Sequence, residues 1–129
     1  MQTTSSTDPI LNQDLLDRYR KRSSSLLGRL IAAFLEECPT LFQNLRESVD
    51  QNDHDQIHMN AHTLKSSSHN LGAVRLAAMC QELENASEAR DTGLVRETME
   101  KLGSEFFDAE QALRSELVRE QKLTQLEMA

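Results

Sequence analysis

The sequence predicts an all-α protein: an antiparallel four-helix bundle with a short additional N-terminal helix. Apolar residues recur in steps of three and four along most of the chain, the period of a helix with one buried face. Only four Gly and two Pro occur in 129 residues, and β-branched aliphatics are scarce, which favours helix over sheet. No strand alternation competes with this pattern, and no Gly-rich phosphate loop is present.

Residues 1–7 are polar and are read as a disordered tail. Asp8-Pro9 then reads as a helix opening, with Asp as N-cap and Pro at the first helical position. That helix would run to about Arg22 and turn Ile10 or Leu11, Leu15 and Tyr19 inward. Ser23 to Ser25 breaks it. Leu27, Ile31, Phe34, Cys38, Leu41 and Leu45 form the strongest stripe. Pro39 interrupts that helix, and because the stripe keeps its register on both sides it should kink rather than end it.

Asp50 to Asp55 is a polar turn, with Asp53 or Asp55 capping the next helix. Ile57, Ala61, Leu64, Ser68 and Leu71 line one face of that helix. Gly72 suits the left-handed position that ends it, and is read as a terminator alone. A helix from Val74 to about Ala89 presents Leu76, Cys80, Leu83 and Ser87, with Met79 and Ala86 beside them. Asp91-Thr92-Gly93 breaks the chain again. The last helix carries Val95, Met99, Leu102, Phe106, Ala109 and Leu113. Its register drifts beyond Leu117, so the domain is drawn at 8–120, with 121–129 a helical extension or frayed tail.

Hydrophobic residues make up 38% and charged residues 27%, a balance expected of one folded domain. No apolar run approaches the roughly 18 residues needed to cross a bilayer. The opening MQTTSSTD lacks the basic and apolar regions of a signal peptide, so a cytoplasmic location is expected. The initial Met and polar start fit a free-standing protein, although an excised domain of a longer chain would look similar, and the polar exterior favours a monomer. Fourteen basic against twenty-one acidic side chains give a net charge of −7. That argues against nucleic acid or a membrane surface as the main partner. Cys38 and Cys80 fall on buried faces, read as small core residues without a disulfide or metal-ligand spacing.

The segment AHTLKSSSHNLGA, Ala61 to Ala73, carries the chemistry. His62 sits about 100° around the helix from Ala61, at the edge of the apolar face. Lys65, Ser66 and His69 follow at the +3, +4 and +7 positions, beside it on the solvent side. A nucleophile, a cation and a small hydroxyl thus share one exposed ridge. A generic imidazole, with a pKa near about 6.5, offers a free ring nitrogen at neutral pH. Lys65 could meet an anion as a point charge, and Ser66 could donate a hydrogen bond without obstructing a partner.

His62, Leu64, Lys65, Ser67, Ser68, Leu71, Gly72 and Ala73 resemble the motif of histidine-containing phosphotransfer domains: eight positions over twelve residues. Ser66 stands where that family usually has Gly. The likeness extends more loosely over residues 10–118. It implies a carrier in a His-Asp phosphorelay, not a kinase. His62 would take a phosphoryl group from an aspartyl phosphate on the receiver domain of a hybrid sensor histidine kinase. It would then pass the group to the receiver of a response regulator. The chain would need no cofactor of its own, since each receiver supplies Mg²⁺ and catalytic groups. No carboxylate cluster is evident beside His62 in the sequence, and no nucleotide-binding loop. Met59, one turn before His62, would join His58 and His69 in a docking patch for the receivers.

Each residue has a plainer reading. Ser66 could bond back to the His62 carbonyl, Lys65 could be a solvated charge, and Met59 could be an ordinary surface residue. His54, His58 and His62 at i, i+4 and i+8 are also spaced for a metal, although no well-placed acidic or thiol ligand accompanies them. A helical interaction module without phosphotransfer is the remaining alternative. No hydrolase pattern is present, and Ser67 and Ser68 point inward as packing residues.

Overall fold

The computed structural model describes residues 8–128; the expectation for residues 1–7 lies outside them. Five helices follow in order: α1 Gln13–Arg22, α2 Leu26–Asp50, α3 His54–Asn70, α4 Val74–Glu88 and α5 Thr92–Met128. Helices α2 to α5 form a ring in which α2 packs on α3 and α5, and α4 packs on α3 and α5. α1 packs on α2 at one end. No helix among the described residues is long and apolar enough to cross a membrane.

One apolar cluster fills the ring, and the expected stripes supply it. Leu27, Ile31, Phe34, Cys38 and Leu45 of α2 are buried, as are Ile57, Ala61, Leu64 and Ser68 of α3. Leu76, Cys80 and Leu83 come from α4, and Val95, Leu102, Phe106, Ala109 and Leu113 from α5. Leu41 is only partly buried, because it packs at the margin. α2 runs through Pro39 as one helix. Across the α2–α5 seam, Phe42 and Phe106 stack with ring centroids 4.5 Å apart.

The three turns of the bundle share one device. α2, α3 and α4 end with a left-handed residue, Asn52 (φ 54°), Gly72 (φ 68°) and Arg90 (φ 53°). In each, the amide two residues past the helix cap bonds back to an orphan carbonyl: Asp53 to Ser48, Ala73 to Ser68 and Asp91 to Ala86. That same residue then opens the next helix. Asp53 accepts from the Gln56 amide and Asp91 from the Leu94 amide, satisfying donors that a helix start leaves free. The last break is therefore at Arg90, and Gly93 lies inside the first turn of α5.

α1 departs most from expectation. Its N-cap is Asn12, whose side chain accepts from the Asp14 and Leu15 amides, not Asp8. The buried residues are Leu11 and Leu16, so Leu16 takes the place assigned to Leu15. Gly72 explains the late start. The Asn12 amide donates to the Gly72 carbonyl at 2.8 Å, and a Cβ on Gly72 would lie 2.9 Å from Asn12 Cβ. Gly72 is thus more than a terminator, since it lets the strap before α1 lie against the α3–α4 turn.

α1 is then pinned at its other end. The Tyr19 hydroxyl donates to the Asn70 carbonyl at 2.6 Å. Arg20 reaches Glu116, at 2.8 Å, and Glu120 on α5. Partial burial works against the Arg20 charge, yet the hydrogen bonds to Glu120 and Asp17 outweigh it and raise the guanidinium above its usual value. Glu116 and Glu120, both buried, are therefore structural, and α5 continues helical past them to Met128.

Candidate functional site

α3 carries the site because its narrow apolar stripe leaves a flank uncovered beside α4. The His62 side chain is 60% exposed, and its Nδ1 lies 3.2 Å from Oε1 of Glu84 on α4. Glu84 is itself buried. Lys65 Nζ stands 3.1 Å from that same oxygen and 3.2 Å from Oε2, and donates to Gln81 Oε1 at 2.8 Å. His58 Nε2 lies 2.8 Å from Glu88 and 3.9 Å from Glu84 Oε2. One buried carboxylate thus gathers three side chains of α3.

An ionised carboxylate only accepts, so the ring nitrogen facing Glu84 must carry hydrogen. That assigns the proton of a neutral His62 ring to Nδ1 and leaves the lone pair on Nε2. Glu84 also fixes the ring's direction while Lys65 balances its charge. The arrangement orients a nucleophile rather than enclosing a substrate.

The sequence-derived candidates separate under this geometry. His62 stands in solvent as expected. Lys65 is not a solvated cation on the ridge, because its side chain is only 18% exposed and turns into α4. Ser66 and His69 are exposed, and Met59 is 57% exposed. The back-bond considered for Ser66 is found at Thr63 and Ser68, which donate to the Met59 and Leu64 carbonyls. Ser68 is fully buried, and Ser67 is half-buried beside Cys38. Burial pushes the Cys38 thiol up to about 11, with the Ser67 hydrogen bond working the other way. Burial raises Cys80 further.

Two carboxylates near the histidines escaped the sequence reading. Glu84 and Glu88 come from α4, far along the chain, so spacing around His62 held no trace of them. A trace lay elsewhere: Glu84 follows Cys80 by one turn, which puts a charge on a buried face. These acids do not turn the histidine ladder into a metal site. His54 Nδ1 is buried without a hydrogen-bond partner, His58 is engaged by Glu88, and no group of three or more His, Cys, Asp or Glu among the described residues is arranged to hold a metal ion.

The Hpt domain family model matches residues 29–126. Among curated proteins, histidine-containing phosphotransfer protein 2 of Arabidopsis thaliana is 30% identical over 78 residues, 57% of this chain and 50% of that protein. The match thus spans half of that relative's length. Among solved structures, histidine-containing phosphotransfer protein B of Pseudomonas aeruginosa has the same fold, with a TM-score of 0.81 at 23% identity, over 88% of this chain and 98% of that one. The HPT domain of a sensor hybrid histidine kinase from Shewanella aligns with a TM-score of 0.71 at 22% identity, over 85% of this chain and 95% of that one. The family match runs through all four bundle helices and across His62, and the chain belongs to the Hpt domain family.

Proposed function

We propose that this chain is a phosphorelay intermediate, with His62 as the residue that carries the phosphoryl group. The observation that carries the reading is the hydrogen bond that Nδ1 of His62 donates to Glu84, which leaves Nε2 as the nucleophile. Nε2 attacks the phosphorus of a receiver-domain aspartyl phosphate, forming a P–N bond as the P–O bond to the aspartate breaks. The ring then bears a positive charge, which Glu84 stabilises through the Nδ1 hydrogen. Transfer onward reverses these steps at the aspartate of a second receiver.

Family membership and the oriented, exposed imidazole of His62 support a carrier rather than a kinase. Phosphoryl transfer asks mainly for positioning and charge stabilisation. This chain supplies the positioned nucleophile, and the receivers supply Mg²⁺ and their own catalytic groups. The donor is the receiver of a hybrid sensor histidine kinase and the acceptor that of a response regulator. Both dock over the ridge of Met59, His62, Ser66 and His69, with the chain acting as a cytoplasmic monomer. Exposed Met59 supplies an adaptable apolar contact there, and Ser66 keeps the approach open.

Incubation with a phosphorylated receiver domain should label the chain on one histidine, in an acid-labile and base-stable form. His62→Gln should abolish the label while leaving helix content and melting temperature near those of the parent. Label persisting in that variant would remove His62 from the role.

A further inference from the structure

Charge is spread unevenly over this acidic chain. Between Arg18 and Leu35 there are five basic side chains and no acidic one, while the remainder holds nine basic against twenty-one acidic. Arg18, Lys21, Arg22 and Arg29 of this stretch are exposed, and so are Arg119 and Lys122 near the end of α5. Arg20 alone turns into α5, toward Glu116 and Glu120.

A groove of about 630 Å³ lies in this basic region, between the start of α2 and the last turns of α5. Gly28, Ala32, Leu117 and Thr124 line it, together with Arg29 and with Glu120, whose carboxylate is held by Arg20. Small residues on α2 leave the space open, and its size falls in the range of about 300–1,000 Å³ typical of ligand-holding clefts. Val118, half exposed, adds apolar surface one turn before Gln121 of the same lining. In the helix ring this edge, α2 with α5, is opposite the edge of α3 with α4 that carries His62 and Glu84.

We infer that the groove is a second docking surface, for an acidic amphipathic segment of a partner protein. Its apolar side would lie on Ala32 and Leu117, and its carboxylates would face Arg22, Arg29 and Lys122, a helix-in-groove mode with a charged rim. Nucleic acid and anionic bilayers fit less well. The exposed lining is mostly apolar surface with one cation, Arg29, and the paired carboxylate of Glu120, rather than the continuous cationic track a polyanion needs. A partner seated here leaves Nε2 of His62 open. The groove therefore serves as a tether that raises the local concentration of a receiver without blocking transfer.

Nuclear magnetic resonance titration of the full chain with a synthetic helix, leucine on one face and glutamate on the other, tests this directly. Shifts should concentrate in residues 18–32 and 117–125. Arg22→Glu combined with Arg29→Glu should weaken binding at least about tenfold, or about 1.4 kcal/mol. Ala32→Trp, at an exposed position that tolerates bulk, should block the groove. His62→Gln should leave the affinity unchanged, and saturating peptide should leave phosphoryl labelling of His62 unchanged. Binding is read without phosphotransfer, so a failure of the relay reading would not be mistaken for failure here. Absence of binding, shifts centred on α3 and α4, or loss of labelling when peptide binds would overturn the proposal. So would tighter capture by a DNA duplex or by vesicles of phosphatidylserine and phosphatidylcholine in equal parts.

Discussion

A buried carboxylate flanked by a lysine and two histidines has more than one task, and substitution separates them. Glu84→Gln keeps the volume but can present an amide hydrogen to the ring, which removes the demand that Nδ1 hold the proton. Transfer through His62 should then slow by about tenfold to a hundredfold, read as the rate of labelling by a phosphorylated receiver. The nitrogen-15 shifts of the ring should report a changed tautomer, and an unaltered rate with unaltered shifts would reduce Glu84 to a partner of Lys65. Lys65→Ala should slow transfer without abolishing it. The same change leaves Glu84 buried without its cation, so a loss of about 1–3 kcal/mol in urea unfolding should accompany it. Lys65 is placed to hold that carboxylate, its Nζ standing 3.1 Å from Oε1.

At the scale of the elements, the three turns have the same hydrogen-bond pattern but different residues at the left-handed position. Gly72 carries no steric penalty there, Asn52 a small one, and Arg90 the full cost of a side chain. Arg90→Gly should therefore stabilise the fold by about 0.5–1 kcal/mol, measured as a rise in the urea midpoint at constant slope. Gly72→Ala should do the reverse and lose about 2 kcal/mol or more, because a Cβ meets Asn12 as well as an unfavourable φ. α1 depends on a different interaction. Arg20→Ala would leave Glu120 buried without its cation and Glu116 with only the cation of Arg119, 3.8 Å away, and should cost about 3 kcal/mol. Hydrogen exchange should show that loss concentrated in α1 and the end of α5, with His62 still competent for labelling.

For the molecule as a whole, the two buried thiols set an alkaline limit. Both are raised above the ordinary cysteine value by burial, so the folded state favours the neutral thiol. Their contribution is complete below the unfolded value of about 9 and declines as pH rises toward about 11, where Cys38 titrates in the fold. Each thiol adds a slope of up to about 1.4 kcal/mol per pH unit in that window. Replacing both Cys38 and Cys80 with Ala should flatten the fall in stability above pH 9, at the cost of some packing. A slope unchanged by the double substitution would assign the alkaline loss to other groups.

Periodicity and punctuation determined the bundle, because each helix buries a continuous stripe whose spacing survives in the linear order of residues. The same logic picked out His62, an imidazole one step off the stripe of Ile57, Ala61 and Leu64. What escaped it depends on contacts between distant segments. Leu16 rather than Leu15 faces inward because Asn12 is held against the Gly72 turn. Glu116 and Glu120 look like ordinary surface charges until Arg20 arrives from α1. Glu84 looks like a charge misplaced in α4 until α3 lays three side chains against it. A helix's own sequence fixes which face is apolar; only the packing of two helices decides which charges on their margins meet, and here that meeting decides which nitrogen of His62 faces water.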